Sequence, residues 1–254
     1  MVSELLYLLV GFIATLLGSM SGLGGGFLVV PTLYYLGVQP QLVVGSTKFM
    51  VFVNSVVSSY RYFRKRVRFP IKLYLFIVIP MMITAYYGAY LAAILPVKQL
   101  LLAIGLVLLA GSIRMIVAGS KRRDNPDEKR DKESNRWYLG ALSGTLAGLV
   151  AGISGLGGGV VNMPMFIYVL RLDPLIAVSL SMAVILPSAL VSTTRHVVDG
   201  IINWGIAIPL SIGAIIGAFI GPHIAVNIPR TTLRRIIGAL ILIASIRILL
   251  NALT

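Results

Sequence analysis

Long apolar stretches dominate the sequence, and short polar or glycine-rich segments separate them. A helix that crosses the hydrocarbon core of a bilayer needs about 20 residues. Six of the stretches reach or approach that length, and the other four form two pairs whose second member is short. The pattern predicts an all-α polytopic membrane protein. The apolar stretches cover residues 4–21, 26–37, 41–60, 71–95, 97–118, 137–153, 160–170, 174–194, 201–225 and 231–253.

A glycine-rich break separates the two members of each pair. Residues 21–26 read SGLGGG, and residues 154–159 read the same, with Pro31 and Pro164 following at matching distances. Three consecutive glycines weaken a helix by about 1 kcal/mol each relative to alanine. We therefore expect a glycine-broken pair of short helices at each place.

The similarity between the two copies continues along the chain at a spacing of 133–134 residues. Chance does not keep so many matches in register. The sequence thus predicts two homologous membrane repeats, residues 1–118 and 137–254, joined by a charged linker over 119–136 into one transport domain. The further matches are Pro40 with Pro174, Thr47 with Ser181, Arg61 with Arg195, Gly88 with Gly221, Pro96 with Pro229, Gly105 with Gly238 and Arg114 with Arg247.

The number of crossings predicts an inverted topology for the two repeats. Each repeat holds three long transmembrane helices and one broken pair, so it crosses an odd number of times whether that pair spans the membrane or is re-entrant. With the linker in the cytoplasm, eighteen of the 22 Lys and Arg residues lie on the cytoplasmic side, as the positive-inside rule requires. The N-terminus is then predicted outside a cell membrane. Its first residues carry no positive charge, so we expect the first stretch to be retained and not cleaved as a signal peptide.

Composition supports a membrane protein and removes several other classes. Apolar residues make up 57% of the chain and charged residues 12%, whereas soluble domains carry about 25% charge. The net charge of +14 follows the topology, so nucleic-acid binding explains it poorly. The absence of cysteine excludes disulfide scaffolds and thiolate zinc sites, and we predict no cofactor. The linker mixes both signs without an apolar face and is predicted to be a solvated connector in preference to a partner-binding helix.

Inverted repeats with broken helices are typical of secondary transporters, whose substrates bind near the midplane of the membrane. Glycine permits close approach to the backbone, and a helix N-terminus carries partial positive charge that binds anions. Substrate binding at the breaks is therefore predicted for Ser21, Gly22, Gly24, Gly25 and Gly26, and for Ser154, Gly155, Gly157, Gly158 and Gly159.

Other glycine patterns have different explanations. The ladder of Gly140, Gly144, Gly148 and Gly152 and the ladder of Gly213, Gly217 and Gly221 are predicted to be close helix contacts. Packing is also the alternative explanation of the breaks. A nucleotide-binding fingerprint does not fit, because Phe27 stands where a third glycine is needed.

The doubled SGLGGG motif followed by proline, in a polytopic chain of 254 residues, resembles the sulfite exporter TauE/SafE family. The resemblance covers nearly the whole chain apart from the linker. It implies a secondary carrier of small anions, typically sulfite and sulfonated organic acids, without naming the molecule. The family motif corresponds to residues 21–26 with Pro31 and to residues 154–159 with Pro164. Asn162 stands where the first repeat has Val29, so the two faces of the cavity are expected to differ.

Polar side chains within the predicted spans add further candidates. Lys48 has no acidic residue near it in sequence, and an unpaired cation in a membrane is costly enough to suggest function. An anionic substrate would offset that cost, and snorkelling to the outer interface is the alternative. The hydroxyl and amide groups at matching positions can donate to an oxyanion or pack between helices. These residues are Thr47, Asn54, Ser181 and Ser188.

Arg61 and Arg195 stand at matching helix ends, as interfacial anchors or as guards of two opposite mouths. The predicted spans hold almost no carboxylate, and His196 can titrate near neutral pH. Proton coupling, sodium coupling and facilitated diffusion all stay open, as does the oligomeric state.

The sequence therefore predicts a secondary transporter that works by alternating access around the two breaks. An anion-selective channel with the same cavity is one alternative. A membrane-embedded transferase is a weaker one, since no nucleophile–base pair or carboxylate cluster is visible.

Overall fold

The computed structural model describes residues 2–92, 109, 112–113, 137–154 and 156–253, and every regular element in them is helical. The linker, most of the predicted stretch 97–118, and Gly155 lie outside the described residues. The helices are α1 (Val2–Ser21), α2 (Gly26–Tyr35), α3 (Pro40–Arg64), α4 (Ile71–Ala92), α5 (Trp137–Ser154), α6 (Gly159–Pro164), α7 (Pro174–Val198), α8 (Trp204–Asn227) and α9 (Arg230–Leu253).

Five of the described helices contain a segment long and apolar enough to cross a membrane. Four of these segments correspond to predicted long stretches, and α9 covers a fifth such stretch. The remaining segment lies in α1, so the first member of a broken pair is itself long and only the second is short. The five segments are Glu4–Ser21, Gln41–Arg64, Ile71–Tyr90, Pro174–Val198 and Trp204–Asn227.

Both helix breaks are present where the glycine motifs predict them. Gly24 and Gly25 have φ angles of 88° and 87°, and Gly157 and Gly158 have 88° and 75°. Residues with a Cβ rarely adopt this left-handed region, so glycine is required here. After Pro164 the second repeat continues as a π-helical turn, Met165–Val169, in which the Leu170 N–H donates to the Met165 carbonyl at 2.9 Å.

Close packing between helices of different repeats builds the bundle. The helix α1 runs along α8, and α4 runs along α5. Glycines on α8 and α5 let the partner backbone approach so closely that a side chain would collide with it, as the ladder prediction requires. The glycines at these contacts are Gly11, Gly213, Gly217 and Gly221 for the first pair, and Gly88, Gly144, Gly148 and Gly152 for the second.

The two repeats show matching local conformations. Gly37 and Arg171 both end a helical segment with positive φ, and so do Arg66 and Gly200. Each pair is separated by the same 134 residues that relate the repeats in sequence. Inversion of one repeat relative to the other remains a prediction.

Bulky apolar side chains on the outer faces of the bundle are exposed. On α8, isoleucines occupy the face opposite the small residues that contact α1, so each face has a distinct composition. Exposed apolar surface on this scale is what a lipid-facing belt requires. Typical members of the belt are Leu9, Ile13, Ile79, Ile83, Ile208, Ile212 and Ile216. The helices α3 and α7 are the most buried of the candidate spans and pack against each other in the core.

Candidate functional site

The two glycine breaks meet in the interior of the bundle. A Cβ atom added to Gly159 would lie 2.6 Å from the Cα atom of Leu23 and would also collide with the carbonyl oxygen of Gly22. Leu23 is fully buried, and Gly157 and Gly158 are buried as well. The structure therefore brings the two sequence motifs, 133 residues apart, into direct backbone contact.

Side chains from α3 and α7 line this meeting point. A Cβ atom on Gly24 would lie 3.5 Å from Val51 Cγ1 and 3.8 Å from Ile185 Cδ1. A Cβ atom on Gly157 would lie 3.2 Å from the same Val51 methyl group. Val51 thus contacts both breaks, and Ile185 occupies the matching position in the second repeat. This pair was not predicted from the sequence, because apolar residues within an apolar helix carry no distinguishing signal.

Hydrogen bonds from the two central helices hold the first break. Ser181 Oγ donates to the Gly22 carbonyl at 2.6 Å, and Asn54 Nδ2 donates to the Gly24 carbonyl at 2.9 Å. Ser58 in turn donates to Asn54 Oδ1 at 3.0 Å. The predicted anion donors Asn54 and Ser181 are therefore engaged with break carbonyls in this structure.

Tyr62 and Ser188 form related contacts. The hydroxyl of Tyr62 donates to the carbonyl of Ser19, just before the first break, at 2.8 Å. Tyr62 was not among the residues predicted from the sequence. Ser188 donates within its own helix, to the Ile185 carbonyl at 3.0 Å. Ser21 likewise donates to the Leu17 carbonyl at 2.6 Å.

Backbone polar groups are concentrated at the breaks. Two of the break carbonyls, those of Gly22 and Gly24, accept hydrogen bonds from side chains. The first N–H groups of a helix have no intrahelical acceptor. Gly25 and Gly158 stand at the N-caps of α2 and α6, and neither helix start carries a side-chain cap. The partial positive charge of the helix start is consequently not neutralised by a side chain.

Lys48 is a buried cation on α3, the helix that carries Val51. Its side chain is 1% exposed, so it lies within the protein and does not extend to a membrane surface. It makes no hydrogen bond or ion pair with any residue that the structure describes. Val51 stands three residues further on the same helix face, so the backbone at Lys48 lies about one turn, ~5 Å, from the residue that contacts both breaks. The neighbouring Thr47 hydroxyl is also buried, and no described residue forms a hydrogen bond with it.

The second repeat supplies a different set of groups. Asn162 in α6 is fully buried, accepts a hydrogen bond from Ser143 at 3.4 Å and approaches the sulfur of Met81 at 3.7 Å. Val29 fills the matching place in the first repeat, so the two sides differ chemically. Ser154 ends α5.

The two matching arginines have aromatic neighbours. The guanidinium of Arg61 lies 3.7 Å from the centroid of the Phe219 ring. Arg195 forms an ion pair with Asp199 at 2.9 Å and interacts with Tyr86, which matches Phe219 at the spacing of the repeats. These contacts fasten α3 to α8 and α7 to α4.

Comparison with known proteins decides the family. The family model described as sulfite exporter TauE/SafE matches residues 7–248. The chain belongs to the sulfite exporter TauE/SafE family. It is therefore a multi-pass membrane protein of a transporter family and not an enzyme, which confirms the resemblance drawn from the motifs.

Relatives of this TauE/SafE protein carry transporter names. It is 25% identical to the probable membrane transporter protein YunE of Bacillus subtilis over 243 residues, which is 87% of this chain and 88% of that protein. It is 32% identical to a probable membrane transporter protein of Methanocaldococcus jannaschii over 167 residues, 63% of this chain and 60% of that protein. A sulfite exporter TauE/SafE family protein 6 of Arabidopsis thaliana is 37% identical over 59 residues, 23% of this chain and 14% of that protein. No solved structure gives a significant match.

Proposed function

We propose that this protein is a secondary transporter of small anions, of the sulfite or organosulfonate kind, with its binding site where the two glycine breaks meet. The observation that carries the proposal is the position of Lys48, a fully buried cation one helical turn from the side chain that touches both breaks. A buried charge needs a compensating charge. No Asp or Glu is buried among the described residues, which supports an anionic solute in this role.

The breaks supply neutral donors beside this cation. Sulfite and sulfonate groups carry three oxygen atoms that accept hydrogen bonds from backbone N–H groups at helix starts. Asn54 and Ser181 support the site indirectly, because they hold break carbonyls by hydrogen bonds. The uncapped starts of α2 and α6 can then present their N–H groups to the solute.

The contact between the breaks supports alternating access. In this structure Gly159 and Leu23 are too close for a solute to lie between them, so binding requires the breaks to separate. Because α1 packs with α8 and α4 with α5, each cross-repeat pair can move as a unit. We propose that these units rock about α3 and α7, with the repeats inverted, the linker in the cytoplasm of the cell and the N-terminus outside.

A substrate panel in proteoliposomes tests this function. The purified protein is reconstituted, and uptake of sulfite, isethionate, methanesulfonate, sulfate and chloride is compared with uptake into protein-free vesicles. We expect saturable uptake of sulfite or a sulfonate, and faster exchange when the same anion is preloaded inside. If the protein takes up none of these anions, the proposed function is wrong.

The same experiment separates a carrier from a channel. Countertransport requires a site that faces one side at a time, so preloading accelerates uptake only by a carrier. An anion flux that rises linearly with anion concentration and does not change when the vesicles are preloaded would support the channel alternative.

A further inference from the structure

His196 is buried near the C-terminal end of α7 with its hydrogen-bonding capacity unused. Its side chain is 4% exposed, and neither ring nitrogen has a hydrogen-bond partner in the part of the chain that the structure describes. The matching residue of the first repeat is Tyr62, which is fully buried and does have a partner, the Ser19 carbonyl at 2.8 Å. Buried polar groups are normally hydrogen-bonded. The open nitrogens of His196 therefore point to a ligand.

Lys48 reaches the same end of the bundle from α3. One turn before it, a Cβ atom added to Gly45 would collide with the carbonyl oxygen of Ile201, whose N–H donates to the His196 carbonyl at 3.1 Å. The first turns of α3 pack against the segment that follows α7, where the Asn203 N–H donates to Ser46 Oγ at 3.1 Å. Thr193, one turn before His196 on α7, also has a buried hydroxyl without a partner. Neither the His196 ring nor the Thr193 hydroxyl therefore has a hydrogen-bond partner among the described residues, and Lys48 lies on the helix that packs against this end of α7.

The other charged groups around His196 do not neutralise Lys48 and His196. Lys48 comes from α3, and Arg195 and Asp199 come from the end of α7 itself. The Asp199 carboxylate already accepts a hydrogen bond from Arg195 Nε at 2.9 Å. On α4, Tyr86 lies near Arg195, and α8 begins with Trp204, whose ring packs on Phe49, the residue after Lys48. Within the described residues, the buried interior at this end holds positive charge without a buried carboxylate.

Two buried basic groups at short range carry positive charge together only when an anion lies between them. An oxyanion there accepts from Lys48 Nζ, from a protonated His196 and from the Thr193 hydroxyl. Binding of the anion then favours protonation of His196, and protonation favours binding of the anion, because the coupling is reciprocal. A sodium ion is disfavoured at this place because Lys48 repels it.

We propose that Lys48 and His196 bind one oxyanion together with a proton on His196, so that anion and proton cross the membrane in the same direction. The proposal rests on anion transport as the function of this chain. It assigns His196 as the site of the coupling proton, on a path that continues from Lys48 to the glycine breaks.

The experiment measures protons and anions in the same vesicles. Wild-type protein is reconstituted with a pH-sensitive dye inside, and uptake of sulfite and of isethionate is counted alongside internal acidification at neutral pH. His196→Gln keeps a polar side chain of similar size that cannot be protonated. We expect the wild type to move about one proton more per anion than this variant does. Taking the difference removes the contribution of sulfite's own protonation.

The other histidine provides a matched control. His223 is exposed, and its ring and carbonyl contact Asn227 at 3.3 Å and 2.9 Å. The variant His223→Gln is expected to keep the wild-type ratio of protons to anions. The wild type should also bind anions more tightly as the pH falls, and His196→Gln should lose that dependence.

Each remaining outcome overturns the proposal. Wild-type anion uptake without excess proton movement, or with protons moving outward, contradicts coupling but leaves anion transport intact. Equal proton-to-anion ratios in wild type and His196→Gln remove His196 as the site. A wild type that carries neither anion contradicts the proposed function itself. Because the wild-type measurement needs no variant, a misfolded His196→Gln protein does not prevent the test.

Discussion

At the scale of single residues, the glycines of the breaks are constrained by conformation and by space together. Gly25 has φ of 87°, and a Cβ there would lie 3.0 Å from the Ala14 carbonyl oxygen. Gly158 has φ of 75°, and a Cβ would lie 2.9 Å from the Ala147 carbonyl oxygen. Ala14 and Ala147 occupy matching positions in the two repeats, so both breaks rest on the preceding helix in the same way.

Valine at either position is expected to abolish anion uptake while the protein still inserts into the membrane. A branched side chain would push the break away from the helix before it and would also be strained at positive φ, by about 1–2 kcal/mol. Uptake into proteoliposomes, with quantification of the inserted protein, measures the effect of Gly25→Val and Gly158→Val.

Two other glycines provide the control for backbone strain. Gly37 and Gly200 have positive φ as well, but a Cβ at either would meet nothing within 4 Å. Gly37→Val and Gly200→Val should therefore keep transport at a modest cost in stability. If the break variants transport as well as these do, the binding role of the breaks is wrong.

Lys48→Met tests the buried cation. Methionine occupies the matching position in the second repeat, at Met182, where it is fully buried, so it suits this helix environment. Loss of the charge should raise the half-saturation concentration for anions by about tenfold or more, since a charged hydrogen bond contributes roughly 1.5–3 kcal/mol. Initial rates of uptake against concentration give the value.

The control for Lys48→Met is Lys72→Met, which removes an exposed lysine from the start of α4. It should leave the half-saturation concentration unchanged. An unaltered value in Lys48→Met would show that this lysine does not contact the substrate.

At the scale of helices, the bundle depends on small residues at the contacts between α1 and α8 and between α4 and α5. In lipid, helix association relies on close packing. The surrounding lipid tails are as apolar as the helix surface, so the hydrophobic effect does not drive two helices together. A Cβ on Gly217 would lie 2.7 Å from the Leu16 backbone nitrogen and would also collide with the Phe12 carbonyl and the Thr15 hydroxyl. The backbone of α1 cannot move aside locally to make room.

Gly217→Ala is therefore expected to lower the thermal unfolding midpoint in detergent. Overpacking of this kind costs about 1–3 kcal/mol. Gly205→Ala, in the first turn of the same helix, serves as the comparison, since its Cβ would meet only the tip of Asn203 at 3.2 Å. A Gly217→Ala midpoint equal to or above that of Gly205→Ala would contradict close packing of α1 on α8.

At the scale of the whole molecule, the predicted topology depends on the odd number of membrane crossings in each repeat and on the distribution of Lys and Arg. A reporter inserted within residues 121–135 is expected in the cytoplasm, and a reporter at the N-terminus is expected outside. Because the chain has no cysteine, a single cysteine introduced at each place can be labelled by an impermeant thiol reagent as an independent check. Both positions reporting the same side would contradict inverted repeats.

The amino-acid sequence alone determined the class of the protein, the two breaks and the ladder glycines. Apolar length, repeated motifs and charge bias are properties of the chain itself, and a bilayer responds to them directly. The amino-acid sequence also indicated that Lys48 is an unpaired cation, because no acidic residue lies near it along the chain.

Only the tertiary structure decided which of these residues meet. The contact of Gly159 with Leu23, the central position of Val51 and the occupied donors of Asn54 and Ser181 arise between helices distant in sequence. From the sequence, His196 was notable only because it can titrate near neutral pH, whereas the structure buries it and leaves both ring nitrogens without a partner among the described residues. The physical reason is that periodicity defines which face of a helix is apolar, whereas packing between helices defines what that face touches.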